Sequence, residues 1–365
     1  MLFLLDGMQP TYEVRPVTGP SNDVLSSIGN TPLVRLRTLT ADGFLLDGMQ
    51  PTYEVRPVTG PSNDVLSSIG NTPLVRLSKL TAGGAEVWVK LEGANPTGSM
   101  KDRMALSMIE GAEKRGQLKP GYRVVEYTGG STGSSLAMVC AAKAYRAHFV
   151  SSDAFSEEKL RTMRAFGATL EVLPSKDRKI TPDLVQAMIS RARELAKEPN
   201  TFWTDQLNNP DNKAGYHKMA EEILHNLGQV DAFVMAGGTG GSFSGNAEVL
   251  KERLKGVRCV AVEPATSRHL SGGSLGGHRI EGIGPGFIPK IMRMDLVDEI
   301  VAVTNEDAYR TAQDLARTEG VFGGISSGAN VFAARQIARR LGPGKRVVTV
   351  IVDSGLKYLQ GDLFT

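Results

Sequence analysis

The sequence predicts an α/β protein built on parallel-rich, twisted sheets flanked by helices. Three observations carry this expectation. From about residue 85, apolar strand-like runs alternate with amphipathic helical stretches. The runs are near-continuous in Val, Ile and Ala, as strands covered on both faces must be. Glycine-rich loops stand where a strand gives way to a helix, at the end of a parallel sheet where ligands bind.

The first strand-like run of the regular region is Thr72-Pro73-Leu74-Val75-Arg76-Leu77, followed by 85–91. Further runs occupy 123–126, 148–151, 169–173, 232–235, 257–262, 300–303 and 346–352. Amphipathic segments intervene, one of them over 103–115. Ser156, with Glu157 and Glu158 in the next turn, opens another helix that Gly167 ends. Thr181 and Pro182 supply an N-cap and a first helical position for a third.

The chain also carries a duplication. Residues 3–36 recur unchanged as 44–77, after which the copies fray. Stacked repeat architectures need several diverged copies, so two near-identical ones indicate a tandem duplication. Only the second copy runs directly into the strand at 85–91. Residues 1–61 are therefore expected to form an N-terminal arm whose first copy is surface-bound or mobile, with the folded region spanning 62–365.

A length of 365 residues allows one large or two modest domains. The net charge of +3 is small, and no basic block is interleaved with aromatics, so neither nucleic acid nor a membrane surface is expected as a partner. Cys140 and Cys259 lie in apolar runs and read as buried thiols; their scarcity points to the reducing cytoplasm. No apolar stretch reaches the roughly 18 residues of a membrane span. Met1-Leu2-Phe3-Leu4-Leu5 lacks the basic region of a signal peptide. The five histidines are scattered without ligand spacing, so no metal site is expected. Met100, Met104 and Met108 recur at helical spacing and read as core.

The most informative stretch is Asn95-Pro96-Thr97-Gly98-Ser99-Met100-Lys101-Asp102-Arg103. A lysine at a helix mouth meets the positive end of the macrodipole, a conflict removed if its amine is neutral or covalently occupied. By itself the segment favours an ordinary solvated lysine beside an N-capping Ser99. Two loops shift that balance. Glu126-Tyr127-Thr128-Gly129-Gly130-Ser131-Thr132-Gly133 lies between the strand 123–126 and a helix expected near Ser134, and its N–H groups and hydroxyls suit a carboxylate. Gly237-Gly238-Thr239-Gly240-Gly241-Ser242-Phe243-Ser244-Gly245 follows the strand at 232–235 and reads as a phosphate cradle. No Gly-Lys-Ser/Thr follows it, so it is not a nucleotide-binding loop of that type. Either loop alone could be a mere tight turn. Together, a phosphate cradle, a carboxylate loop and an imine-forming lysine are what pyridoxal phosphate chemistry on an amino acid requires.

Ser68-Ile69-Gly70-Asn71-Thr72-Pro73-Leu74-Val75-Arg76-Leu77, the segment 95–103, Gly238–Ser242, the segment 281–289 (Glu-Gly-Ile-Gly-Pro-Gly-Phe-Ile-Pro) and Gly324-Ile325-Ser326-Ser327-Gly328-Ala329 carry a resemblance across the folded region. On these motifs the chain resembles the cysteine synthase family, fold-type-II pyridoxal 5'-phosphate enzymes that include O-acetylserine sulfhydrylase and cystathionine β-synthase. The resemblance implies the tryptophan synthase β-subunit-like fold of two domains: a smaller one at about 97–208 and a larger one comprising about 70–96 and 209–365. It also implies that Lys101 carries the cofactor and moves the α-proton, and that Gly238, Thr239, Gly240, Gly241 and Ser242 hold its phosphate. Ser354 would meet the pyridine nitrogen, with neighbouring Asp353 as the rival. Ser131 would face the ring hydroxyl. Thr128, Gly129, Gly130 and Thr132, with Gln206 and Gly282, would hold the substrate.

The implied activity is β-replacement on an O-acetylserine-type donor by sulfide or a thiol, through an aminoacrylate. Partners would be these small molecules and a second copy of the chain in a homodimer. β-Elimination, by a serine/threonine dehydratase or cysteine desulfhydrase, is the alternative; a degenerate binding partner is a further one. This chain departs from the family at Gly129 and Ser131, where Ser and Asn are usual, and at Leu356-Lys357, where many members carry Glu-Arg. These departures put the donor and nucleophile in question, not the chemistry type.

Overall fold

The computed structural model describes residues 64–178 and 181–365. The first copy of the repeat and the expected arm lie outside the described residues.

Among the described residues, ten strands form two sheets. The larger has the order β1 (Leu74–Leu77), β2 (Glu86–Leu91), β10 (Arg346–Ile351), β7 (Ala232–Ala236), β8 (Arg258–Pro264) and β9 (Glu299–Val303). Only β1, at the edge, runs antiparallel, pairing Leu74 with Lys90 and Leu77 with Val87. The smaller sheet has the order β5 (Thr169–Leu173), β4 (Arg146–Ser152), β3 (Arg123–Tyr127) and β6 (Thr201–Trp203), all parallel. The strands expected from apolar runs are present with ends shifted by one or two residues. β6 is additional; at three residues it is too short to show as a run.

Burial explains the composition. All five residues of β7 are buried, and so are six of the seven in β8, as both faces are covered by helices. One face of the larger sheet packs on α9 (Ile325–Leu341), whose buried Ala329, Ala333, Ala334 and Ile337 meet Val87, Val234 and Val347 in one cluster. The other face packs with α1 (Lys101–Lys114), α6 (His217–Leu227) and α7 (Gly241–Arg253), where Met104, Met108, Ile223 and Phe243 are fully buried. Met100, Met104 and Met108 are core residues, as their spacing indicated. Cys140 and Cys259 are buried and free, with burial pushing each thiol up to about 12.

The helix starts follow local chemistry. Thr181 caps α4 (Pro182–Leu195) by accepting the Leu184 N–H at 3.2 Å, as expected. Ser156 precedes α3 (Glu157–Ala165) without a side-chain cap bond, and Glu157 and Glu158 occupy its first turn. No described helix is long and apolar enough to cross a membrane.

Candidate active site

Lys101 is the first residue of α1. The turn before it is closed by the Asp102 carboxylate, which accepts the Thr97 N–H at 2.8 Å and the Thr97 hydroxyl at 2.5 Å. Ser99 does not cap the helix. Met100 holds that position, and Ser99 Oγ accepts only a 3.3 Å bond from the Lys101 N–H. The turn is stitched to the chain leaving β10: Met100 N–H donates to Val352 O and Ser354 N–H to Gly98 O, both at 2.9 Å. Burial draws the Lys101 amine down from 10.5 to about 8, against the opposing pull of the Asp353 carboxylate. Desolvation thus shifts the balance toward the neutral amine at the positive end of α1, which lessens the conflict noted in the sequence.

Two residues beyond, Arg103 anchors the helix from below. Its guanidinium bonds both Glu92 oxygens at 2.7 and 2.8 Å and both Glu222 oxygens at 2.9 and 2.8 Å. Glu222 also pairs with the buried Lys90 at 2.7 Å, and Thr72 donates to Glu92 at 2.6 Å. Bidentate geometry on both partners makes this a rigid base for the lysine.

The carboxylate loop follows β3. α2 (Ser131–Ala142) begins at Ser131 instead of near Ser134, so the last three residues of the loop, Ser131, Thr132 and Gly133, are already helical. Thr128 Oγ1 draws that turn closed by accepting the N–H groups of Gly130 and Gly133, each at 3.0 Å. The Thr132 hydroxyl donates to Gln206 Oε1 at 2.9 Å, and Gln206 Nε2 donates to Tyr127 O at 2.9 Å. Beneath them is Glu126, fully buried at the end of β3. It accepts from Tyr127 N–H (2.9 Å), Thr204 Oγ1 (2.6 Å), Gln206 N–H (3.0 Å) and Trp203 Nε1 (3.3 Å). Burial pushes its carboxyl up to about 7 although all four bonds favour the charged form. The loop is linked to the lysine turn where Thr97 Oγ1 meets Ser135 Oγ at 3.3 Å.

The phosphate-cradle loop runs from β7 into α7. Gly240, at φ +84°, precedes the helix, and a Cβ there would lie 2.6 Å from that of Met292. A side chain on Gly238 would strike the Gly282 carbonyl, and one on Gly241 the Asn212 amide. The N–H groups of Gly238, Thr239 and Gly240 donate to no acceptor among the described residues. With Ser242 in the first turn of α7, they form a bare, concave donor set at a helix N-terminus, which fits a phosphate. Asn212 joins this loop to the carboxylate side, donating to Gln206 O at 2.6 Å and to Thr239 Oγ1 at 3.3 Å.

The remaining expected residues close the ring. Ser354 Oγ accepts the Leu356 N–H at 3.3 Å. Asp353 is held by the Tyr358 hydroxyl at 2.9 Å on Oδ2, while its buried Oδ1 has no partner among the described residues. Gly282 sits with its carbonyl against Gly238, and Gly284 N–H donates to Gly237 O at 3.0 Å. Glu281 pairs with the buried Lys159, whose stem packs on Gly130 and whose amine lies 4.9 Å from the Tyr358 ring centre. Lys159, Asn212, Glu126 and Phe155 were not singled out by sequence. Glu126 alone left a signal, an acidic residue ending an apolar strand. Among the described residues no three metal-binding side chains converge.

Comparison with known proteins agrees with this geometry. The profile of a family described as pyridoxal-phosphate dependent enzyme matches residues 65–353. A cysteine synthase of Staphylococcus aureus is 42% identical over 285 residues, covering 77% of this chain and 90% of that protein. The crystal structure of cysteine synthase from Entamoeba histolytica superposes with a TM-score of 0.80 at 36% identity, covering 87% of this chain and 94% of that one. That of a hydrogen sulfide-producing enzyme from Fusobacterium nucleatum superposes with a TM-score of 0.78 at 40% identity, covering 82% of this chain and all of that one (100%). The chain belongs to the cysteine synthase family of pyridoxal-phosphate dependent enzymes.

Proposed function

We propose that this enzyme replaces the β-substituent of an O-acetylserine-type amino acid with sulfide or a thiol, giving cysteine or a related amino acid. The observation that carries the reading is the linkage of three fixtures: Thr97 and Ser135 join the Lys101 turn to the carboxylate loop, and Asn212 joins Gln206 to Thr239 of the bare glycine cradle. Bound there, pyridoxal phosphate supplies a carbonyl carbon for amines and an electron sink for the substrate's Cα.

The chain's own residues do the rest. Gly238, Thr239, Gly240, Gly241 and Ser242 bind the phosphate through N–H groups and hydroxyls. Lys101 Nζ anchors the cofactor; released from it, the amine takes the proton from the substrate Cα. An amine of about 8 is well matched to that task near neutral pH. Thr128, Gly129, Gly130 and Thr132, with Gln206, orient the substrate carboxylate, and Gly282 borders them. Ser131, in the first turn of α2, would be the residue toward the cofactor's ring hydroxyl, as the family resemblance implies. Ser354 would offer the pyridine nitrogen a neutral hydroxyl, which would moderate the electron sink. The Tyr358 bond occupies only Oδ2 of Asp353, so the choice of Ser354 over its neighbour rests on the family pattern.

A second reading, elimination without replacement, is favoured by the 40% identity to the hydrogen sulfide-producing enzyme. Product analysis separates the two: replacement gives a new amino acid, whereas elimination gives pyruvate and ammonia. We also propose two domains, a smaller one at about 97–208 and a larger one of about 70–96 plus 209–365, in a cytoplasmic homodimer. The four-stranded sheet within 123–203 and the two buried free thiols support these points. Light scattering tests the dimer, with a mass of twice 39.1 kDa expected.

A further inference from the structure

We infer that Phe155 is a specificity-determining residue of the amino-acid site, and that its ring is what requires glycine at position 129. The inference rests on the proposed β-replacement reading, in which the residue-129 side chain of the family faces the substrate.

The backbone does not demand glycine here. Gly129 is absent from the positive-φ glycines, unlike its neighbour Gly130 at +142°. What excludes a side chain is occupancy. A Cβ at 129 would lie 2.7 Å from Phe155 Cε1, 3.0 Å from Cζ and 3.1 Å from Cδ1, so one edge of the ring fills that volume. A ring edge cannot swing aside as the tip of a long aliphatic chain can. Its rotation is confined on the far side too, since Phe155 packs with the cluster of Val125, Val150 and Leu184.

Phe155 lies just past the carboxyl end of β4, next to the loop leaving β3, where ligands of a parallel sheet bind. The ring is only partly buried: it packs on that cluster and meets the carboxylate loop at Gly129. A hydroxyl donor is thus exchanged for an apolar wall. Such a wall gives a bound amino acid or an incoming thiol carbon atoms to pack against, and offers it no hydrogen bond. The site should discriminate in favour of nucleophiles that carry carbon beside the sulfur, over hydrosulfide.

The test is a double-mutant cycle on the holoenzyme with Gly129→Ser, Phe155→Ala and the pair. Stability is read first, without substrate. Gly129→Ser should lower Tm by about 5 °C in the wild-type background through overpacking, and by far less beside Phe155→Ala. Equal shifts in both backgrounds would overturn the pairing. Selectivity is read next, as kcat/KM with 2-mercaptoethanol relative to sulfide. Phe155→Ala should lower this ratio about tenfold, the worth of a lost apolar contact. Coupled stability with an unchanged ratio would overturn the specificity role. A wild-type holoenzyme that binds no β-substituted serine would defeat the functional reading, and the specificity role with it, while the stability coupling stood.

Discussion

Lys101 differs from a surface lysine in place and in charge. It opens α1, and burial brings its amine to about 8. Below that value the protonated form dominates, and above it the neutral nucleophile does. Uptake of pyridoxal phosphate by cofactor-free protein should therefore accelerate as pH rises through about 8, and level off beyond it. Stopped-flow absorbance checks this; a rate flat across that range would contradict the assignment. Borohydride reduction of the holoenzyme should fix the cofactor's mass on the peptide bearing Lys101. Replacement by alanine should abolish that labelling and cut turnover roughly thousandfold. Glu126 works one step back, through Gln206. Its exchange for glutamine would set an NH2 group against N–H donors, so the amino-acid KM should rise about tenfold with kcat less affected. An equal effect on both constants would mean that the carboxylate does more than position its neighbours.

The elements show why much of this was legible in the sequence and some was not. β7 and β8 announce themselves because strands covered on both faces must be apolar throughout. α4 does so because Thr181 and Pro182 carry their capping chemistry locally. α2 starts three residues before the position its sequence suggests, since Ser131 and Gly133 are poor helix formers by themselves. Thr128 Oγ1, reaching forward to Gly133, recruits them. Lys101, Thr132, Gln206 and the glycine loop could be read because each belongs to a contiguous motif. Asn212 acts between Gln206 and Thr239, and Phe155 against Gly129, through contacts that no window of sequence displays. The base of α1 is equally non-local. Arg103→Met would leave Glu92 and Glu222 buried with fewer partners, so denaturant unfolding should show a loss of about 3–5 kcal/mol.

At the scale of the whole molecule, the site is a joint between two sheets. The loops after β3 and β4 belong to the four-stranded sheet, and those after β7 and β10 to the six-stranded one. Polar links across the joint include Thr97 with Ser135, Asn212 with Gln206 and Thr239, and Lys159 with Glu281, beside a hydrophobic cluster to which both sheets contribute. Every residue proposed to act lies between 101 and 354, well beyond the duplicated stretch. Removal of residues 1–43 should therefore leave turnover unchanged, a result that assay of the shortened protein checks. The central claim is that these residues make an enzyme for β-replacement, and a panel of amino-acid donors added to the holoenzyme tests it most directly. O-Acetylserine should change the visible spectrum of the cofactor, and sulfide should restore it with release of cysteine. Silence toward O-acetylserine, with a response to serine or O-phosphoserine instead, would contradict the donor; a spectrum that decays to pyruvate without using sulfide would contradict the replacement itself.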